Sequence, residues 1–270
     1  MARPAERDDS PAENSPVEAL RVPELTAGGH RTLAEQAFAR LHQAIVTGAL
    51  APGLRLPIED LATSMNMSPM PVREALRRLD AAGLVENVPH RGARVTDLSL
   101  KDLHEVYEAR LALEPLTVRR AAARFTEDDH SEVRRLLDEH ADATQGGDPV
   151  RIWSTHTAFH FGLYDAAGSR WLLRLIRPLW ESSERYRYAT IGVQAKLDRR
   201  RREHEAILAA CAANDAEGAA VRLHNHLVHT ANSVAHEMGS AELFEVSPEP
   251  TLRLESDVRT ARAAPTTSNR

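Results

Sequence analysis

Ser68-Pro69-Met70-Pro71-Val72-Arg73-Glu74-Ala75-Leu76-Arg77-Arg78-Leu79 carries the start of a helix within itself. Serine is a favoured residue just ahead of a helix, and a proline just inside one is tolerated because that position's N–H has no intrahelical partner. Val72, Ala75, Leu76 and Leu79 recur at spacings of three and four, an apolar stripe that runs to Ala82 before Gly83 closes it. Upstream, Ile58 to Met65 is a short helix. Before it, Leu33, Ala37, Leu41, Ala44 and Ile45 mark another, ended by Gly48 and Pro52-Gly53. Downstream, Leu84-Val85-Glu86 and Ala93-Arg94-Val95 are two short strands flanking a turn at Pro89-His90-Arg91-Gly92. Two short helices joined by a tight turn and followed by a small hairpin are the layout of a winged helix-turn-helix.

Charge agrees with that layout locally. The chain as a whole is acidic, with a formal net charge of −5, yet residues 31–96 carry eight arginines against six acids. Arg73 and Arg77 share one helical face with Arg78 beside them, and Arg91 and Arg94 sit on the hairpin. An arginine trio on a helix is ordinarily just a solvated face. Beside a wing, it is a set of phosphate and base-edge contacts, with the first residues of the recognition helix nearest the bases.

The remainder of the chain reads as helix. Ser99 caps one through Phe125, and Thr126-Glu127-Asp128-Asp129 opens a second as a capping box. Asp148 to Ala167, Ser169 to about Ile191 with a kink expected at Pro178, Lys196 to Ala213, and Asn214 to Met238 complete six, an antiparallel bundle. The expected fold is therefore mainly α. Its parts are a winged helix-turn-helix over 29–97, an all-helical domain over 98–238, and proline-bearing tails over 1–28 and 239–270 that lack an apolar period and are expected to stay unstructured. No apolar run approaches the ~20 residues of a membrane span. The start of the chain has no apolar segment after a basic one, and a single cysteine, Cys211, fits a reducing compartment, so the cytoplasm is the expected location.

Histidines carry the chemistry of the second half. His156 and His160 lie one turn apart within the arc of Ile152, Trp153, Phe159 and Leu163; His204 shares the stripe of Ile207, Leu208 and Cys211; His226 lies nearest the apolar arc of the last helix. Each alone is ordinarily a core histidine with a satisfied hydrogen bond. Four from three helices could instead converge on zinc, nickel or another borderline divalent metal. An enzyme using this cluster is the rival reading, but the chain has no His-Glu-x-x-His. Its lone Glu-x-x-His, Glu127 to His130, sits at a helix start, and there is no nucleophile elbow, dinucleotide fingerprint or Walker loop.

The run Gly48 to Gly53, Leu61-Ala62, the helix from Ser68 to Leu79, Gly83-Leu84-Val85 and Arg91-Gly92-Ala93 resemble the DNA-binding domain of the GntR superfamily. Glu108-Ala109-Arg110 with Glu114, Ala158-Phe159-His160 before Leu163-Tyr164, Glu203-His204 before Ile207, and His226-Leu227 resemble the FCD effector domain of its FadR-like branch. The resemblance implies a ligand-responsive transcriptional regulator, a homodimer on a palindromic operator of double-stranded DNA. Ser68, Met70, Arg73, Arg91 and Gly92 stand at positions implied to meet DNA, with Arg77 and Arg78 alongside. It implies a divalent metal (zinc, nickel or manganese) on His156, His160, His204 and His226, and a small carboxylate effector with Arg110 facing the cavity. A metal-free, acyl-binding pocket is the other form found in the family. Two departures stand out: Pro69 replaces the usual arginine after the serine, and His156 replaces the usual aspartate or asparagine.

Overall fold

The computed structural model describes residues 32–88, 92–188 and 194–248. Helix α1 (Leu33–Val46) begins at a capping box in which Thr32 and Glu35 satisfy each other's backbone N–H. Strand β1 (Arg55–Leu56), α2 (Ile58–Met65) and α3 (Pro69–Ala81) follow, then β2 (Val85–Val88) and β3 (Gly92–Val95). The three strands form an antiparallel sheet in the order β1-β3-β2, with Arg55 opposite Arg94 and Glu86 opposite Arg94 on the other side. Strand β1 escaped the sequence reading because two residues are too few to show a period. Ser68 is the residue ahead of α3, but its side chain makes no capping hydrogen bond. Pro69 and Pro71 at the first and third positions of the helix have no N–H to give, which leaves Met70 as the only remaining target for such a bond. A continuous core of Leu41, Leu50, Leu61, Val72, Leu79 and Val95 holds helices and sheet together.

The second domain consists, among the described residues, of α4 (Leu100–Ala122), α5 (Glu127–Gly146), α6 (Pro149–Asp165), α7 (Arg170–Tyr188), α8 (Gln194–Ala212) and α9 (Ala216–Glu237). The expected caps are present: Ser99 accepts from Asp102 N–H, Thr126 from Asp129 N–H, and Asp148 from Val150 N–H. Both α4 and α7 continue past an internal proline, Pro115 and Pro178. Ile191, taken as the end of the fourth helix, lies outside the described residues.

Two features depart from the expected organisation. The segment after α9 is tied down as far as Ser247, where 239–270 was expected to be unstructured. Asn232 accepts from Leu243 N–H at 2.9 Å and Phe244 N–H at 3.1 Å and donates to the Phe244 carbonyl at 2.8 Å. Asn225 holds Ser247 in the same way, at 2.8 and 2.9 Å. Two asparagines seven apart share a helix face two turns apart, so they can clamp an irregular segment whose own composition shows no period. Phe244 also stacks on His104. The tail expected over 1–28 and residues 249–270 lie outside the described residues.

The second feature is the junction between the domains, which is polar and specific. His42 Nε2 on α1 lies 3.2 Å from the Glu184 carboxylate on α7. Arg185, the next residue, donates to the Thr96 carbonyl at 2.9 Å and to Asp102 at 2.8 Å.

Candidate effector cavity and DNA-reading surface

His156, His160, His204 and His226 come together as expected. They are buried, and each offers one nitrogen to a set lying within 4.8 Å of one another. Helix α6 supplies two of them one turn apart, α8 and α9 one each. Nε2 of His160 and Nε2 of His204 are 3.2 Å apart. Two nitrogens ~2.0–2.1 Å from one tetrahedral zinc stand about 3.4 Å apart, so the spacing fits a shared ion.

The outer nitrogens set the tautomers. Tyr164 donates its hydroxyl proton to Glu114 at 2.6 Å, so its oxygen accepts from His160 Nδ1 at 3.2 Å. That leaves the Nε2 lone pair of His160 aimed inward. His226 Nδ1 donates to Glu203 at 2.8 Å, and the other oxygen of Glu203 takes His229 at 2.8 Å. Orienting carboxylates of this kind are the usual outer partners of metal-binding histidines. Nδ1 of His204 is buried without a hydrogen-bond partner. With a lone pair of His160 fixed opposite its Nε2, His204 either donates to it or, with its proton on Nδ1, faces it with a second lone pair, and a cation between the two rings would take up both lone pairs. Burial, reinforced by the neighbouring imidazoles, holds His156, His160 and His204 well below the usual imidazole range, so all three are neutral ligands in waiting. The four residues fit a borderline divalent metal.

His156 differs from the other three. Its Nδ1 faces Arg187 Nη1 at 3.4 Å. A guanidinium only donates, so that nitrogen is an acceptor here.

Arg110 lines the cavity, as expected, but its guanidinium already has a carboxylate. Nε and Nη2 donate to the two oxygens of Glu114 at 2.6 and 3.3 Å, and Nη1 donates to Ser183 at 3.0 Å. Burial acts against its charge, but Glu114 outweighs burial and holds Arg110 above the ordinary arginine value. Arg187 differs. Burial, with Arg110 behind it, pulls it down to about 10, and its guanidinium lies 4.3 Å over the Trp180 ring and 5.1 Å over Trp153.

Sequence reasoning missed several lining residues. His140 on α5 sits with its ring 5.2 Å from that of His156 and 5.7 Å from that of His204. It donates or accepts at Thr155 at 3.2 Å, and burial lowers it to about 4. The spacing Val133, Leu137, His140 could have flagged it. Arg187 and Arg200 also line the cavity, beside Trp153 from the arc of His156; nothing in the spacing of the two arginines separates them from other bundle residues.

At the other end of the chain, Met70, Arg73 and Arg77 are exposed on α3, and Ser68 is exposed at its start. Arg73, Arg77 and Gly92 border one recess between α3 and the wing, together with Arg55 and Asn87. Gly92 has a φ of +80°, a conformation side chains rarely adopt, which accounts for glycine at the wing's return. Arg78 parts from its neighbours: its guanidinium lies 4.0 Å over the Phe38 ring on α1. Arg91 lies outside the described residues.

Comparison with known proteins agrees with both halves. Residues 33–95 match the family described as bacterial regulatory proteins, gntR family, and residues 105–229 match the FCD domain. The chain is 33% identical over 240 residues to the uncharacterized HTH-type transcriptional regulator BphR of Paraburkholderia xenovorans, covering 86% of this chain and 94% of BphR. It is 31% identical over 192 residues to the HTH-type transcriptional regulator McbR of Escherichia coli, covering 70% of this chain and 86% of McbR. The solved structure of E. coli McbR/YncC superposes with a TM-score of 0.68 at 28% identity, over 77% of this chain and 100% of that one. A GntR regulator structure from Rhodococcus sp. RHA1 shares the fold, with a TM-score of 0.63 at 23% identity over 75% of this chain and 97% of its own. Winged helix-turn-helix, helical effector domain and full-length relatives together show that this chain belongs to the GntR family of bacterial regulatory proteins, as a transcriptional regulator with an FCD domain and not an enzyme.

Proposed function

We propose that this regulator is a cytoplasmic homodimer that reads a palindromic operator with two winged helix-turn-helix domains, its grip set by a small carboxylate held beside a divalent metal in the helical domain. Ser68, Met70, Arg73, Arg77, Arg78, Arg91 and Gly92 meet the DNA in this reading, with Arg78 also bracing α1. Among the described residues no helix is long and apolar enough to cross a membrane. The convergence of four buried histidines, two of which (His160 and His226) are held by outer partners at Nδ1 so that Nε2 keeps its lone pair, is the observation that carries the metal. Zinc, nickel and manganese are the candidates. Four neutral imidazoles leave the ion's double charge uncancelled, where the family's usual acid would remove part of it, and a carboxylate effector supplies the missing negative charge. The bound metal would offer a Lewis-acidic anchor for that carboxylate. Arg110, already paired with Glu114, keeps the Glu114–Tyr164–His160 chain in register.

Metal content of the purified, tag-free protein tests this directly. Near-stoichiometric zinc, nickel or manganese is expected, and it is lost in a His160→Ala, His204→Ala double variant. A protein that stays metal-free after incubation with all three ions has a metal-free pocket, and the acyl-binding form of the family becomes the reading to pursue.

A further inference from the structure

One chain of contacts runs from the histidine cluster to the DNA-binding domain. His156 Nδ1 accepts from Arg187 Nη1 at 3.4 Å. The other terminal nitrogen of Arg187 stands 3.9 Å from Glu184 Oε1. Glu184 Oε2 lies 3.2 Å from His42 Nε2, on the first helix of the winged domain. Glu184 is held in place besides by Thr157 and the Trp180 indole, both donating to Oε1 at 3.1 Å. Glu184 and Arg187 lie within one turn of α7, so a shift of the Arg187 guanidinium is felt at Glu184 without any helix moving.

The two states of His156 require two positions of Arg187. In the state observed, Nδ1 carries a lone pair and Arg187 donates to it. A metal can take His156 through Nδ1, which uses that lone pair, or through Nε2, which places the ring proton on Nδ1. Neither arrangement accepts a hydrogen bond from a guanidinium. We infer that loading the histidine cluster releases Arg187 from His156 toward Glu184, where it competes with His42, so that Arg187 and Glu184 act as positioning residues that transmit cavity occupancy to the winged domain. The inference rests on the metal reading proposed above. It assigns to His156 a role that the usual acid at that position could not fill, because a carboxylate would hold Arg187 whether or not a metal is bound.

Coupling between sites is reciprocal, so the relay is readable from the metal side without an operator or an effector. Zinc alone is the probe, titrated into the metal-free full chain by calorimetry or competition with a chromogenic chelator. Removing the competing imidazole by His42→Ala is expected to tighten zinc binding by roughly fivefold. His42→Leu, which refills the volume, should do the same. Helix content and melting of each variant confirm that it is folded. In an Arg187→Met background the His42 substitutions should leave zinc affinity where that background has it. Zinc binding that is indifferent to His42, or a His42 effect that survives the loss of Arg187, overturns the relay and leaves the metal site standing. Wild-type protein that takes up no zinc overturns both.

Discussion

Tyr164 illustrates how one hydroxyl can organise a buried site. It is fully buried, gives its proton to Glu114 and receives one from His160, so it passes the orientation of the Arg110–Glu114 pair on to a candidate ligand. Burial, helped by Glu114, pushes its own ionisation well above the usual phenol range, so it acts only as a hydrogen-bonding group. Tyr164→Phe should leave His160 Nδ1 without an acceptor. Zinc affinity is expected to fall by ~10–100-fold while the metal remains detectable at high zinc, as loss of an outer-shell partner does elsewhere. A competition titration against a chelator of known affinity reads this, and an unchanged affinity would show that Tyr164 orients nothing. At this scale the four histidines were legible, because each falls on an apolar stripe of its own helix. Arg187, Glu203 and Glu184 were not. Arginines and glutamates are common on helices, and only the packing of α7 against α6 and α1 turns Arg187 and Glu184 inward, as the packing of α8 against α9 does for Glu203.

Two helix starts that look alike in sequence differ in what they contribute. Thr126 opens α5 with a reciprocal capping box: its hydroxyl accepts from Asp129 N–H at 3.1 Å, and Asp129 accepts from Thr126 N–H at 2.9 Å. Ser68 opens α3 opposite a proline and makes no such bond. Thr126→Ala should therefore cost about 1 kcal/mol of stability, whereas Ser68→Ala should cost almost none and show its effect in DNA affinity instead. Urea unfolding of both variants beside an electrophoretic shift assay separates the two outcomes; a destabilised Ser68→Ala would mean that the hydroxyl caps after all. Helix existence was readable throughout because apolar spacings, caps and stop residues agreed with one another. Strand β1 was too short to read, and the clamped segment up to Ser247 was invisible because its hydrogen bonds come from Asn225 and Asn232, not from itself.

Across the whole molecule, the join between domains hinges on a titrating pair. Burial pulls His42 down, but the hydrogen bond and charge of Glu184, with Glu181 behind it, outweigh burial and leave His42 above the usual imidazole value of 6.5. Burial pushes Glu184 up, and the same bond to His42 more than offsets that, holding it below the usual carboxylate range. The charged groups facing this pair are Glu181 and Arg187 from α7, and Glu181 is itself met by Arg177 from α7 and Arg78 from α3. A base whose native value is raised contributes stability that is fully present below its unfolded value and is lost as pH rises through the native one. The difference in stability between the wild type and His42→Ala should thus be largest near and below pH 6.5 while Glu184 stays ionised, and should shrink as the medium becomes alkaline. Thermal melts over roughly pH 5.5–9 measure it; a difference that is flat with pH would mean that His42 is not charged against Glu184.

The sequence by itself determined the class of every long element, the winged layout around Ser68 to Leu79, and the four histidines that face inward, because helix periodicity is a local property and burial follows from it. The tertiary structure alone decided the pairing of ring nitrogens with Tyr164, Glu203 and Arg187, the commitment of Arg110 to Glu114, and the contact of His42 with Glu184. Each of these joins residues from different elements, or selects one rotamer among several that the spacing allows equally. Their free energy lies in desolvation and hydrogen-bond geometry, which exist only once the helices have packed.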